Sequence, residues 1–207
     1  MKKIVLVLFL LAVCVATGRS QESRQDVSLS GFALIPPFVA SSTNVQVHSN
    51  AAYGALVSYR FMLTPNSALE ANYGITYQNT YRYVVGNTNV TKILTRTQEM
   101  SGAYVRSFTF RKWNPFVEAG PAGMIFLPIR NSGTTSIDAK QQTNLAGMYG
   151  AGIAYEISPS FDIRAEYRGI VTKVPNFGLG SGNTTQNLTT NKWFNLYEPV
   201  VGVAYHF

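Results

Sequence analysis

From Tyr53 onward, apolar and polar side chains alternate with period two, segment after segment, which a chain shows when it folds as half-buried β-strands. One parity reads Tyr53, Ala55, Val57, Tyr59, Phe61, and the next segment gives Leu69, Ala71, Tyr73, Ile75, Tyr77. The pattern continues through Val117 to Ile125, Tyr149 to Ile157, Phe161 to Tyr167 and Tyr197 to Phe207. A further strand near Val27 to Ala33 and another near Gln98 to Phe108 make eight. Short turns of Thr64-Pro65-Asn66-Ser67 and Ser158-Pro159-Ser160 type alternate with long polar stretches at 34–50, 79–97, 128–144 and 172–192. Short connections on one side and long ones on the other predict an antiparallel meander closed into a barrel. Eight strands is the expected count, with ten as the alternative.

The question is which face meets water. Every charge on the six clearest strands falls on the parity opposite the aromatic and branched residues: Arg60, Glu70, Glu118, Glu156, Asp162, Arg164, Glu166, Arg168 and Glu198. That same parity is rich in small residues, including Gly54, Gly74, Gly120, Gly150, Gly152 and Gly202. A water-facing surface has no use for them and glycine weakens a strand, whereas the narrow interior of an eight-stranded barrel requires them. The charges and glycines therefore face inward, and the apolar face looks out. Aromatics gather on the short-turn side, at Tyr59, Phe61, Phe108, Phe110, Trp113, Phe161, Tyr205 and Phe207, as a girdle at a membrane interface would. Charged residues make up 13% of the chain, about half the share of roughly 25% in soluble domains, as lipid contact requires.

Three points stay open at this level. Strand 98–108 can present Met100, Gly102, Tyr104 and Arg106 outward, which suits the girdle, or inward, which brings Arg106 to the acids. Pro121 and Pro199 each delete a ladder donor and are expected near a bulge or a rim. Six interior acids against three arginines call for raised carboxyl pKa values or a further arginine.

The first twenty residues read separately. Lys2 and Lys3 precede an uncharged, mostly apolar run from Ile4 to Ala16, then small residues, in the order of a secretory signal peptide. Cleavage after Gly18 or after Ser20 both fit; the second leaves residues 21–207 as one barrel domain. The run holds Cys14, the chain's one cysteine, so no disulfide supports the mature fold, and the net charge falls from +7 to +4.

The chain ends Gly202-Val203-Ala204-Tyr205-His206-Phe207. Glycine five places before the end, an aromatic two before it and a terminal Phe resemble the insertion signal of bacterial outer-membrane β-barrel proteins. Val200 stands where that signal usually has a polar residue. With the leader and strand layout, the chain resembles the small eight-stranded family of the OmpA transmembrane domain and OmpX. The resemblance implies residence in the bacterial outer membrane and a monomer among lipid and lipopolysaccharide. It also implies handling by periplasmic chaperones and the barrel-assembly machinery, which would read Gly202, Tyr205 and Phe207.

Function is less constrained. Lysines and arginines are scattered, without the runs that nucleic-acid binding favours. His48 and His206 are the two histidines. His48 precedes Ser49, and neighbours in a strand point to opposite faces, so they make a poor base and nucleophile. No spacing suits a metal or a phosphate-binding loop, and no cofactor is expected. The reading is a non-enzymatic barrel with a mostly plugged polar lumen, giving envelope integrity or surface contact such as adhesion. The alternatives are a narrow passive channel and, behind it, a lipid-modifying enzyme. The long stretches carry Arg82, Lys92, Arg96, Arg130, Lys140, Lys173 and Lys192 against Asp138, a basic excess suited to an anionic surface.

Overall fold

A computed structural model describes residues 24–40, 45–86, 89–129, 139–179 and 187–207. The expected signal peptide at 1–20, together with Arg130 and Asp138, lies outside the described residues.

Eight antiparallel strands close the ring: β1 (Gln25–Leu34), β4 (Ala52–Thr64), β5 (Ser67–Thr76), β7 (Asn89–Ser107), β8 (Trp113–Pro128), β9 (Gln142–Ser158), β10 (Phe161–Lys173) and β11 (Trp193–His206). Each pairs with the next in this order, and β11 returns to β1, with Asp26 opposite His206 and Phe32 opposite Val200. Closure satisfies the backbone from strand to strand, which hydrocarbon demands because it offers no hydrogen bonds of its own.

Three short strands stand outside the ring, and they correct the expectation of polar loops at 34–50 and 79–97. β2 (Val39–Ala40), β3 (Val45–Ser49) and β6 (Asn79–Val85) extend the sheet from the first half of β7, in the order β2, β3, β6, β7. Tyr81, Tyr83, Val45, Val47 and Ile93 alternate with polar neighbours and supply an apolar inner face. That face packs on Phe126 and Phe177 at the barrel mouth, where the three strands and the start of β7 form a hood.

The outer wall is the apolar belt the alternation predicts. Leu29, Val201 and Met100 are 65%, 61% and 58% exposed, in company with Val57, Leu69, Ile163 and Val203. Aromatics fringe it on the short-turn side, where Phe161 and Tyr205 lie 5.1 Å apart between ring centres and Trp113 and Tyr155 4.6 Å. Water does not tolerate a continuous apolar surface of this extent, and lipid does.

Both prolines sit in mid-wall rather than at a bulge or a rim. The β7–β8 ladder lapses opposite Gly120 and Pro121 and resumes in the same register. The β1–β11 ladder likewise stops at Phe32–Val200 and reappears at Ile35–Tyr197, leaving Pro199 in the gap. Each proline pairs regularly with its neighbour on the other side, at Gly147 and Tyr167, so the missing donor is confined to one ladder.

Several inward glycines are steric requirements. A Cβ at Gly152 would meet the Phe116 ring at 2.5 Å and Glu166 Cβ at 2.7 Å. At Gly202 it would collide with Ser30 on β1, so this glycine allows the last strand to seat against the first. Gly152→Leu is expected to abolish the compact, heat-modifiable species on an unboiled gel, whereas the same change at outward-facing Ala151 leaves it intact.

Candidate functional site

Alternation sends one side chain in two to the barrel axis, and these side chains sort by height. Nearest the short turns, Arg164 donates to both oxygens of Asp26, at 2.9 and 2.7 Å. His206 Nε2 lies 2.7 Å from Asp162 Oδ2. Arg60 donates from Nε to Glu70 at 2.5 Å and lies 4.8 Å over the Phe116 ring. At mid-height Arg168, fully buried, pairs with Glu99, which also accepts from Ser101 at 2.8 Å. Its Nε is 3.7 Å from Glu198 and 3.9 Å from Glu118.

The arrangement answers one open point. Tyr104 and Arg106 both face outward; Arg106 donates to Ser67 at 2.8 Å and brings no charge to the lumen. The strand contributes Glu99 instead, and Asp26 enters from β1, so two acids that the sequence reading missed join the interior. Glu99 fits because it stands opposite Gly74 on β5, where there is no side chain. Arg60, Glu70, Glu118, Asp162, Arg164, Arg168 and Glu198 are buried and within this network. Glu156 and Glu166 are half-buried and make no close ion pair, although Glu166 borders the same small space as Arg60, Glu70 and Arg164.

Each arginine thus has one close carboxylate: Asp26 for Arg164, Glu70 for Arg60 and Glu99 for Arg168. The carboxylate oxygens of Glu118 and Glu198 are buried without a hydrogen-bond donor, and Arg168 is the cation beside both. Removing one member of a buried pair leaves an uncompensated charge and costs about 3–5 kcal/mol.

Above Arg168 the interior is mostly apolar, with Thr76, Thr95, Thr97 and Thr172 as its buried hydroxyls, which corrects the expectation of a polar lumen at this height. Leu34, Leu56, Met124, Phe126, Ile170 and Leu196 are almost completely buried, with Phe32 and Met148 beside them. The segment after β10 folds into the mouth, and Phe177 packs edge-on against Tyr81 and Phe126, at 5.9 and 6.4 Å. Tyr83 donates its hydroxyl to the Pro175 carbonyl at 2.5 Å, joining the hood to this segment. Burial pushes the Tyr81 and Tyr83 hydroxyls well above the usual tyrosine range, so both stay protonated.

Among the described residues, neither histidine is hydrogen-bonded to a hydroxyl or thiol. His48 is exposed on β3, 4.6 Å from the Phe38 ring centre, while Ser49 turns away and donates to Asn79 at 2.8 Å. His206 is held by Asp162 beside a cavity of about 170 Å³ at the short-turn end.

A closed ring of eight strands, lipid-facing outside and packed inside, defines a transmembrane β-barrel. The sequence profile of the outer membrane protein beta-barrel domain family matches residues 5–207. The chain belongs to that family and resides in the bacterial outer membrane. It is similar in fold to Neisserial surface protein A, with a TM-score of 0.59 at 14% identity over 91% of this chain and all of that one. OprG of Pseudomonas aeruginosa gives 0.54 at 14% identity, covering 91% of this chain and 98% of that one. The N-terminal barrel domain of OprF from the same organism gives 0.51 at 18%, covering 90% of this chain and 100% of that one. No curated protein sequence matches significantly.

Arg168→Met is expected to lower stability by about 3–5 kcal/mol in urea unfolding from lipid vesicles. Lys112→Gln, on an exposed turn, is expected to change it by less than about 0.5 kcal/mol.

Proposed function

We propose that the protein is a non-enzymatic outer-membrane barrel with a sealed interior, contributing to envelope integrity and to contact at the cell surface. The observation that carries this reading is the apolar layer of Leu34, Leu56, Met124, Phe126, Ile170 and Leu196 stacked on the Arg168 cluster. A water-filled path needs a wet lining along its whole length, and this stretch is lined mainly by apolar side chains, with threonine hydroxyls at Thr76, Thr97 and Thr172. Below it, the space beside Ser28, Ser58, Arg60 and Glu166 leaves no room for a water molecule. A barrel filled this way is a rigid mount for what it carries outside, here the hood of β2, β3, β6 and the upper part of β7.

The same reading takes residues 1–20 as the leader, removed on export, and the barrel as a monomer. It takes Gly202, Tyr205 and Phe207 as the contact for the assembly machinery. Gly202 must be small to seat against Ser30, and Tyr205 stacks near Phe207 at 6.1 Å, so the closing strand presents an aromatic end.

In planar bilayers the protein is expected to give no discrete conductance steps. Steps that disappear with Arg164→Ala would establish the narrow-channel alternative instead. Replacing both His48 and His206 by alanine is expected to leave the mass spectrum of the cell's lipopolysaccharide unchanged; a changed acylation pattern would restore the enzyme reading.

A further inference from the structure

We propose that the outward face of β3, β6 and β7 binds the phosphorylated headgroup of an outer-leaflet glycolipid. The two ladders place His48 opposite Arg82 and Arg82 opposite Lys92, so three basic side chains stand in one row across neighbouring strands. All three are exposed. Like charges directly opposite each other destabilise a sheet, and an anion bound across Arg82 and Lys92 would offset that repulsion. Among the described residues, nothing acidic does so from the sheet itself. The outward positions around the row are Gln46 on β3, Thr80 and Val84 on β6, and Leu94 and Arg96 on β7.

The row lines a cavity of about 800 Å³, with Asn50 and Thr80 offering hydrogen bonds and Leu94 an apolar edge. Cations, small polar groups and one apolar rim together suit a sugar bearing phosphate better than a bare ion.

Position decides the source of that anion. β7 runs unbroken from Asn89 to Ser107, and its outward parity carries Lys92, Leu94 and Arg96 at one end and Met100 and Tyr104 at the other. Met100 and Tyr104 belong to the lipid-facing belt, 58% and 49% exposed. Arg96 lies about 13 Å along the strand from Met100, and Lys92 about 13 Å further. Arg96 also borders an apolar groove of about 410 Å³ on the wall, formed with Tyr53, Ile75 and Tyr77. The opposite face of the hood is buried on Phe177, so the row points away from the barrel axis. The basic face is therefore the upward continuation of the lipid wall. An acyl chain in the groove places its headgroup phosphates beside Arg96 and the row.

The proposal does not depend on whether the lumen conducts. It is tested by native mass spectrometry of the detergent-solubilised barrel with bisphosphorylated lipid A and with the same lipid after dephosphorylation. Wild-type protein is expected to bind the phosphorylated form about tenfold more tightly, with the preference falling as ionic strength rises. Arg82→Gln with Lys92→Gln is expected to remove the preference, and Lys112→Gln at the opposite end to keep it. Equal binding of the two lipids by wild-type protein, a result that needs no variant to fold, would overturn the proposal. So would a full preference in the double variant, or a soluble sulfated oligosaccharide that binds the row while phosphorylated lipid A does not.

Discussion

A chain that crosses hydrocarbon must hydrogen-bond its own backbone, and the pairing of the last strand, β11, with the first, β1, is the contact that closes this barrel. Once eight strands close, the interior is too narrow to be anything but filled or nearly filled. Glycines at 120, 152 and 202 then become obligatory, since a Cβ at each would strike a neighbour's backbone. Inward charges must find partners within a few ångströms, because an isolated ion at that depth is too costly to keep. The pairs of Arg60, Arg164 and Arg168 follow from closure rather than cause it. The same enclosure lets aromatic and aliphatic side chains pack above them without exposing apolar surface to water.

The outer wall was legible in the sequence because lipid outside and a mixed interior leave a clean period of two. The upper interior was not. Leu56, Met124, Met148, Ile170 and Leu196 share the parity of the charges, and where both faces are apolar the alternation fades. The available signal was that inward charges end at Glu99, Glu118, Arg168 and Glu198, with only apolar or small polar residues beyond. Glu99 itself was hidden because Ser101 and Gly102 are both small, so the strand gave no facing by size. Its register opposite Gly74 settles it. Asp26 fell just before the strand limit drawn at Val27, although it continues the parity of Ser28 and Ser30.

The hood shows a related limit. Asn79 to Val85 and Asn89 to Thr97 are polar enough to resemble loops, yet Tyr81 and Tyr83 alternate with Arg82 in strand fashion. What fixes them is distant in sequence: Phe177 and the Pro175 carbonyl, from the segment after β10. This packing buries one face of the hood over the mouth and leaves the other, with its basic row, turned toward the membrane surface. In the proposed reading, sealing the barrel and displaying that face are consequences of the same contact.

A barrel sealed as proposed excludes water from the upper interior around Met124 and Leu196. Single cysteines in a Cys14→Ser background test it directly, with a membrane-impermeant maleimide applied to the folded barrel in vesicles open to reagent on both sides. Met124→Cys and Leu196→Cys are expected to stay unlabelled while Asn50→Cys, exposed beside the hood, reacts fully. Labelling of Met124→Cys at the rate of Asn50→Cys would mean that water fills the upper barrel, and would contradict the account.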